Sequence, residues 1–556
     1  MKQLIECVPN FSEGNNMEII RQITNEIESV EGVKLLDVDP GKATNRTVVT
    51  FVGEPELVIE AAFRSIAKAK ELIDMSKHKG EHPRMGATDV CPLVPIANIS
   101  MEETIEYAHK LSERVGQELS IPVYNYEFAA KTEERRNLAY VRSGEYEALS
   151  DKLKKEEWKP DYGPAVFDEK AGATAVSARN FLVAYNFNLN TTSTRRANAI
   201  AFDVREAGRI KKENGKTVLD KNGNPLRIPG TLKSTKAIGW YIEEYGIAQI
   251  SMNLTDITIT SIHQAFDEVD RAARVRGVRV TGSELVGLVP KQALLDAAKY
   301  FLRKQERSVG IDEKELIKIA VKSLGLDELK PFIPEERIIE YLLESEEHKP
   351  LINMTLIDFA DETASESPAP GGGSISAYMG VLGVSLATMV ANLSSHKRGW
   401  DERWEEFSDI AEEGQVIKDK LLNLVDEDTN AFNKIMDAFG LAKTTDQEKA
   451  FRTQAIQDAT EYATKVPLEV MKLAYSSLNV IQKMAEIGNP NSVTDAGVGA
   501  LAARSAVMGA YLNVKINADS LNDKDLASKL LAEGLDIEKK TIELETKILE
   551  IVNSKI

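Results

Sequence analysis

Fifteen of the chain's 19 prolines fall before residue 351, and only four follow it. Proline lacks a backbone N–H and clashes with the preceding helical turn. The distribution therefore splits the 556 residues into a half broken into short elements and a half free to form long helices. Composition shifts at residues 345–355, where the acidic run Glu344-Ser-Glu-Glu-His-Lys-Pro350 reads as a solvated connector. Beyond it, residues 371–395, 401–440, 446–486, 494–518 and 522–553 carry helical apolar spacing with short breaks, which predicts a helical bundle.

The first half alternates its signals. Val33–Val38, Arg46–Val52 and Thr88–Ile96 read as strands, and residues 54–73 as a helix. An α+β sandwich with helices on one sheet face follows. In Phe181–Asn190 the two-residue period puts Asn186, Asn188 and Asn190 on one face and Val183, Tyr185, Phe187 and Leu189 on the other. Gln249, Ser251, Asn253 and Thr255 repeat the pattern. Such an amide face is either a wet sheet surface or a polar groove. Between these strands, Thr217–Arg227 reads as a hairpin turning at Asn222-Gly223.

Charge and composition remove several classes. With 69 basic against 87 acidic side chains the net charge is −18, which argues against nucleic-acid binding. No run of about 18 apolar residues is present, so no membrane span is expected. The opening Met1–Glu6 has no apolar signal core, and two cysteines are too few for a disulfide framework, so a cytoplasmic setting is expected. Six histidines without HExxH or CxxC spacing give no metal site.

Two stretches carry candidate chemistry. In Ser76–Val90, Lys77, His78, Lys79, His82 and Arg84 reverse the local sign of an acidic chain, which would attract an anion. His82 has the proton affinity for transfer near neutrality, although one histidine in a basic loop also reads as a surface residue. On 401–440, Ile417, Leu421, Leu424, Asp428, Phe432 and Ile435 form one stripe in which Asp428 interrupts a core face. A carboxyl there has a raised pKa and suits a general acid, or it bonds a neighbouring helix. Asp426, about 200° away around the helix, should be solvated. Pro370-Gly371-Gly372-Gly373-Ser374 opens an apolar helix, either as a tight packing feature or as an anion site made of free N–H groups.

The stretch His82-Pro-Arg-Met-Gly-Ala-Thr-Asp-Val-Cys-Pro92 and the opening Glu6-Cys-Val-Pro-Asn-Phe-Ser-Glu-Gly14 resemble the formiminotransferase domain of the formimidoyltransferase-cyclodeaminase family. Asp37-Val-Asp-Pro40, Asn45-Arg-Thr-Val48, Gly172-Ala-Thr-Ala175 and Gly282-Ser-Glu-Leu-Val-Gly-Leu-Val-Pro290 continue the resemblance. Pro370-Gly-Gly-Gly-Ser374 and Val425-Asp-Glu-Asp428 with Ala431-Phe432 extend it to the cyclodeaminase half.

The resemblance implies transfer of a formimino group from N-formimino-L-glutamate to tetrahydrofolate, then closure to 5,10-methenyltetrahydrofolate with loss of ammonia. It implies His82 and Asp428 as the catalytic residues. Folate contact falls on Gly163, Pro164, Ala165, Val166, Phe167, Asp168, Glu169, Lys170, Ala171 and Gly172, where Asp168 and Glu169 depart from the positive charge a glutamate tail would favour. Asp39 and Arg46 would orient the imidazole or hold substrate carboxylates, unless they form a local ion pair. Asn186, Asn188, Gly371, Gly372, Gly373, Asp495 and Asn513, with Asn517, complete the expected site residues.

Expected domains are two ferredoxin-like α/β sandwich subdomains, 1–180 and 181–335, with a polar groove between their sheets, a linker 336–352 and an all-α bundle 353–556. Tetrahydrofolate, polyglutamylated or not, is the co-substrate. A homo-oligomer is implied, with no nucleic-acid or membrane partner. Two alternatives stay open: a helical half that is inert or a methenyltetrahydrofolate cyclohydrolase, and a folate-binding scaffold without turnover.

Overall fold

The computed structural model describes residues 3–41, 45–80, 83–221, 223–344 and 350–556. His82, Asn222 of the expected hairpin and residues 345–349 of the connector lie outside them. One compact unit runs to Ala293 and takes in Leu324–Glu344. The other joins Leu294–Ser323 to the C-terminal helices.

The first unit contains two sheets. Strands β1 (Leu4–Cys7) and β2 (Asn10–Phe11) share one slot between β4 (Arg46–Gly53) and β5 (Thr88–Ala97), and β3 (Val33–Gly41) pairs with β4. Helix α1 (Met17–Glu28) precedes β3 and α2 (Pro55–Leu72) precedes β5, so the order is βαββαβ. Beyond β5, helix α3 (Met101–Glu118) leads to β6 (Val123–Glu127) and β7 (Thr174–Ala178), which extend the sheet in parallel. The second sheet repeats the scheme. Strand β8 (Val183–Leu189), helix α4 (Thr194–Val204), β9 (Thr235–Ile242), β10 (Ile247–Leu254), helix α5 (Ile262–Arg274) and β11 (Val280–Val286) form an antiparallel sheet in the order β9-β10-β8-β11.

The expected alternation on β8 is present, and the amide face is buried at its centre, while Asn190 and Asn253 at its ends are exposed. Asn186, Asn188 and Gln249 are buried. Gln249 Nε2 donates to Asn188 Oδ1 at 2.7 Å, and Asn188 Nδ2 to Glu328 Oε2 at 2.7 Å. Trp240 Nε1 donates to Gln249 Oε1 at 3.2 Å. Buried amides are stable only when paired; Asn188 and Gln249 pair with each other, and Asn186 Nδ2 donates to Glu284 Oε2 at 3.3 Å. In the excursion that follows α4, Lys212–Glu213 pairs with Lys216–Thr217 around Asn214-Gly215, a turn the sequence reading passed over.

Glu6 on β1 is 3% exposed, opposite the core residues Ile5 and Cys7. Burial pushes its carboxyl up from 4.5 to about 7, and Arg179 opposes part of that rise.

In the second unit, α6 (Lys291–Lys304) and α7 (Glu313–Leu324) lead to the bundle: α8 (Gly372–Ser395), α9 (Trp404–Gly440), α10 (Asp446–Ile487), α11 (Val493–Asp519) and α12 (Lys524–Asn553). The segment between α6 and α7 is tied down where Asn392 Nδ2 and Gln415 Nε2 both donate to Gly310 O, at 2.8 and 3.1 Å. Helix α8 is long and apolar enough to cross a membrane by length and composition alone, because its alanines, valines, leucines and methionines raise its hydropathy although serines and glycines interrupt every long apolar run. Of its most apolar window, 61% is buried inside the protein. Small residues let helices approach closely: a Cβ on Gly383 would sit 2.9 Å from Gly499 O, where α8 crosses α11.

A carboxyl whose folded pKa lies above its unfolded value stabilises the fold while protonated, and that contribution fades as pH rises through about 4.5 to 7. Glu6→Gln should therefore match the parent's thermal midpoint near about pH 5 and exceed it near about pH 8. A pH-independent difference between the two midpoints would contradict this burial argument.

Candidate functional site

In the first unit the chemistry-bearing loop precedes β5. His78 Nε2 lies 2.8 Å from Asn45 O, and its Nδ1 accepts from Arg84 Nε at 3.2 Å, so the neutral ring carries its proton on Nε2. Arg84 is buried and paired with Glu145 at 3.1 Å and Glu147 at 2.6 Å. Lys77 pairs with Asp74 at 2.9 Å. Two members of the cluster expected here, Lys77 and Arg84, are thus answered by acids, and those on Arg84 lie about sixty residues away in sequence, where no local charge count includes them.

At the mouth of β5, Asp89 is fully buried, accepts the Met85 N–H at 3.0 Å and binds the Arg142 guanidinium. Arg46 feels Asp89, Arg142 and Asp39 together. The expected Asp39–Arg46 pair is therefore part of a larger charge set. Asp89 was legible as a charge inside an apolar strand; Arg142 had no local signal.

The segment 163–172 closes against the flanks of this loop. Ala87 N–H donates to Ala171 O at 2.8 Å, Ala173 N–H to Met85 O at 3.1 Å and Met75 N–H to Lys170 O at 3.0 Å. Partial burial would raise the Asp168 carboxyl, yet the Ala171 and Lys170 N–H groups and Lys70 hold it below the usual carboxylate range. Its charge is absorbed by a turn and one lysine. Asn188 is committed to the amide network of the second sheet, and Asn186 to Glu284 on the neighbouring strand.

In the second unit the start of α8 meets α9. Asp428 Oδ2 accepts the Ser374 N–H at 3.0 Å, and Ser374 Oγ donates to Val425 O at 2.7 Å. Burial raises the Asp428 carboxyl, and the Ser374 N–H and hydroxyl oppose it. A Cβ on Gly373 would lie 2.0 Å from Asp428 Oδ1, so only glycine admits the carboxyl at this helix start. A Cβ on Gly372 would stand 3.4 Å from Asn513 Nδ2, which donates to Gly509 O at 3.0 Å. Gly372, Gly373, Asp428 and Asn513 thus come together, with Gly371 at the helix cap. Ser374, the next residue after the glycine run, was not singled out.

Two expected members stand apart. Asp495 begins α11, eighteen residues before Asn513 and so roughly 27 Å along the axis. Asn517 Nδ2 donates at 2.7 Å to Ala463 O, the carbonyl left without its helical N–H by Pro467 inside α10.

Two expectations on α9 are corrected. Asp426 is buried, not solvated: it accepts the Leu351 and Ile352 N–H groups at 2.9 and 3.3 Å, from chain that a helical wheel does not include. The apolar stripe is also not core throughout. Ile417 and Leu421 are buried, but Phe432 is 39% exposed. Helix α8 begins level with Asp428, so it does not cover the turns of α9 beyond it.

The model for the formiminotransferase domain, N-terminal subdomain, matches residues 4–179; that for the formiminotransferase domain, 184–344; and that for formiminotransferase-cyclodeaminase, 355–535. The chain is 44% identical over 524 residues to a formimidoyltransferase-cyclodeaminase of Mus musculus, covering 94% of each protein. It is 42% identical over 306 residues to a glutamate formimidoyltransferase of Streptococcus pyogenes serotype M1, covering 55% of this chain and 95% of that protein. Over 204 residues it is 36% identical to a methenyltetrahydrofolate cyclohydrolase of Methylorubrum extorquens, covering 37% of this chain and 98% of that one.

Gly373→Ala should cost the bundle about 1–3 kcal/mol by forcing the Asp428 carboxyl away. Gly371→Ala, whose Cβ would meet nothing nearer than 3.9 Å, should be close to neutral. Thermal midpoints of the two variants check this, and equal effects would contradict the close contact.

Proposed function

We infer that this chain, which belongs to the formimidoyltransferase-cyclodeaminase family, joins two one-carbon steps in a single polypeptide. It transfers the formimino group of N-formimino-L-glutamate to N5 of tetrahydrofolate, then closes 5-formiminotetrahydrofolate to 5,10-methenyltetrahydrofolate with release of ammonia. The observation that carries this is the 94% coverage of a bifunctional relative at 44% identity, with a transferase-only relative matching 55% of this chain.

In the transfer step N5 attacks the formimino carbon and loses its proton, while the glutamate nitrogen leaves and gains one. His82 is proposed to move both protons in turn. The 163–172 segment, hydrogen-bonded to Met75 and Ala87, is proposed to contact the folate, with Asp39, Arg46, Asp89 and Arg142 setting the field nearby. In the closure step N10 attacks the same carbon, its proton passes to the formimino nitrogen, and with one further proton that nitrogen leaves as ammonia. Asp428 is proposed to protonate that nitrogen, a role supported by its partial burial and raised carboxyl. Gly372, Gly373 and Asn513 would line the approach.

A second reading of the helical unit is favoured by the cyclohydrolase relative, 98% of which the chain covers. A cyclohydrolase would add water to the methenyl product instead of expelling ammonia.

Assembly is also proposed. Helix α11 exposes Val498, Leu501, Met508, Leu512 and Ile516 at helical spacing, an apolar row fitted to a second copy.

His82→Ala should abolish transfer yet close supplied 5-formiminotetrahydrofolate at the parent rate, whereas Asp428→Asn should accumulate that intermediate. Methenyl absorbance and released ammonia from formiminoglutamate plus tetrahydrofolate report both; loss of both activities in either folded variant would refute separate sites. Leu512→Glu with Ile516→Lys should lower the sedimentation coefficient, and an unchanged coefficient would remove the assembly proposal.

A further inference from the structure

Asp428, Phe432, Ile435 and Phe439 fall within a sector of roughly 60° on α9, and Met436 borders it. The same face changes character at Asp428. Leu421 and Val425 before it are buried in the bundle core. Beyond it Phe432, Met436 and Phe439 are 39, 53 and 50% exposed. One exposed apolar side chain needs no explanation, but a row of three that starts one turn from a half-buried acid does.

The row lies where the proposed substrate must put its rings. In 5-formiminotetrahydrofolate the reacting carbon hangs on N5 of the pteridine, and N10, which attacks it, is attached to the aminobenzoyl ring. Both rings therefore stay within a few bonds of the carbon that Asp428 would serve. Side chains four residues apart on a helix have Cβ atoms about 6 Å apart, so a ring lying on Phe432 brings its one-carbon substituent to Asp428. The opposite wall at this level is the start of α8, where the Asp428 carboxyl fills the space at Gly373 and Gly372 presents no side chain.

We propose that Phe432 and Met436 form the wall on which the pteridine and aminobenzoyl rings of 5-formiminotetrahydrofolate lie during closure. An aromatic ring and a polarisable thioether both bind flat conjugated systems without requiring a hydrogen-bond pattern. This inference rests on the reading of Asp428 as the closure acid. It makes Phe432 a substrate-binding residue, a role the resemblance did not give it.

The test is steady-state closure of supplied 5-formiminotetrahydrofolate by the full chain, with transfer measured in parallel. Phe432→Ala should raise KM about tenfold, as expected for loss of one stacked ring, with kcat within about twofold and transfer unchanged. Phe432→Trp should return KM to near the parent value, which a purely structural role would not predict for a larger ring. An unchanged KM in Phe432→Ala, or a change confined to its sedimentation coefficient, would overturn the proposal and make the row a subunit surface. Asp428→Asn separates the two ideas. If it still closes the ring, the underlying reading fails; if it is inactive while Phe432→Ala binds normally, only the ring wall falls.

Discussion

The helical unit is organised around one close contact, the Asp428 carboxyl set against the first turn of α8. That turn presents an N–H from Ser374 and no side chain at Gly373, so a carboxyl fits where any Cβ would collide with it. Two forces then act on the acid in opposite directions. The N–H groups and partial positive charge of a helix start favour the carboxylate, while burial favours the protonated form. Burial is the larger, and the carboxyl is raised. The glycine run is therefore better understood as a seat for the protein's own carboxyl than as an open anion cradle, since the Ser374 N–H is taken.

The same economy of volume shapes the rest of the bundle. Small residues along α8 allow α11 to cross at near-backbone contact. Pro467 breaks one helical hydrogen bond inside α10, and Asn517 repairs it from α11. The first unit uses a different device: buried polar groups answered by partners from distant sequence. Asp89 binds Arg142, Arg84 is held by two glutamates that reach in from the surface, and Asn188 and Gln249 pair with each other and with Glu328 and Trp240 at the rim. Such pairings cost little net stability only while complete, because removing one partner strands a buried charge.

What could be read from the sequence follows from the range of each interaction. The five long helices were legible because proline scarcity and apolar spacing are local, and α8 to α12 begin and end within a few residues of the expected bounds. The two faces of β8 were legible from a two-residue period; that Asn188 and Gln249 are buried was not, since Glu328 comes from 140 residues away. Asp428 was legible as a charge in an apolar stripe. The burial of Asp426 and the exposure of Phe432 were not, because both depend on where other segments begin to cover α9. The pairing of Arg84 within Ser76–Val90 was hidden for the same reason, its counter-charges lying at Glu145 and Glu147.

The central claim, that a sequestered carboxyl supplies the proton for ammonia loss, is tested most directly by the pH dependence of kcat for closure of supplied 5-formiminotetrahydrofolate. The account predicts a rate that falls as pH rises through a single pKa above the ordinary aspartate value of 3.8, and a limb that moves when Asp428→Glu alters the carboxyl's placement. A profile without that limb, or one whose limb stays in place in the glutamate variant, would contradict it.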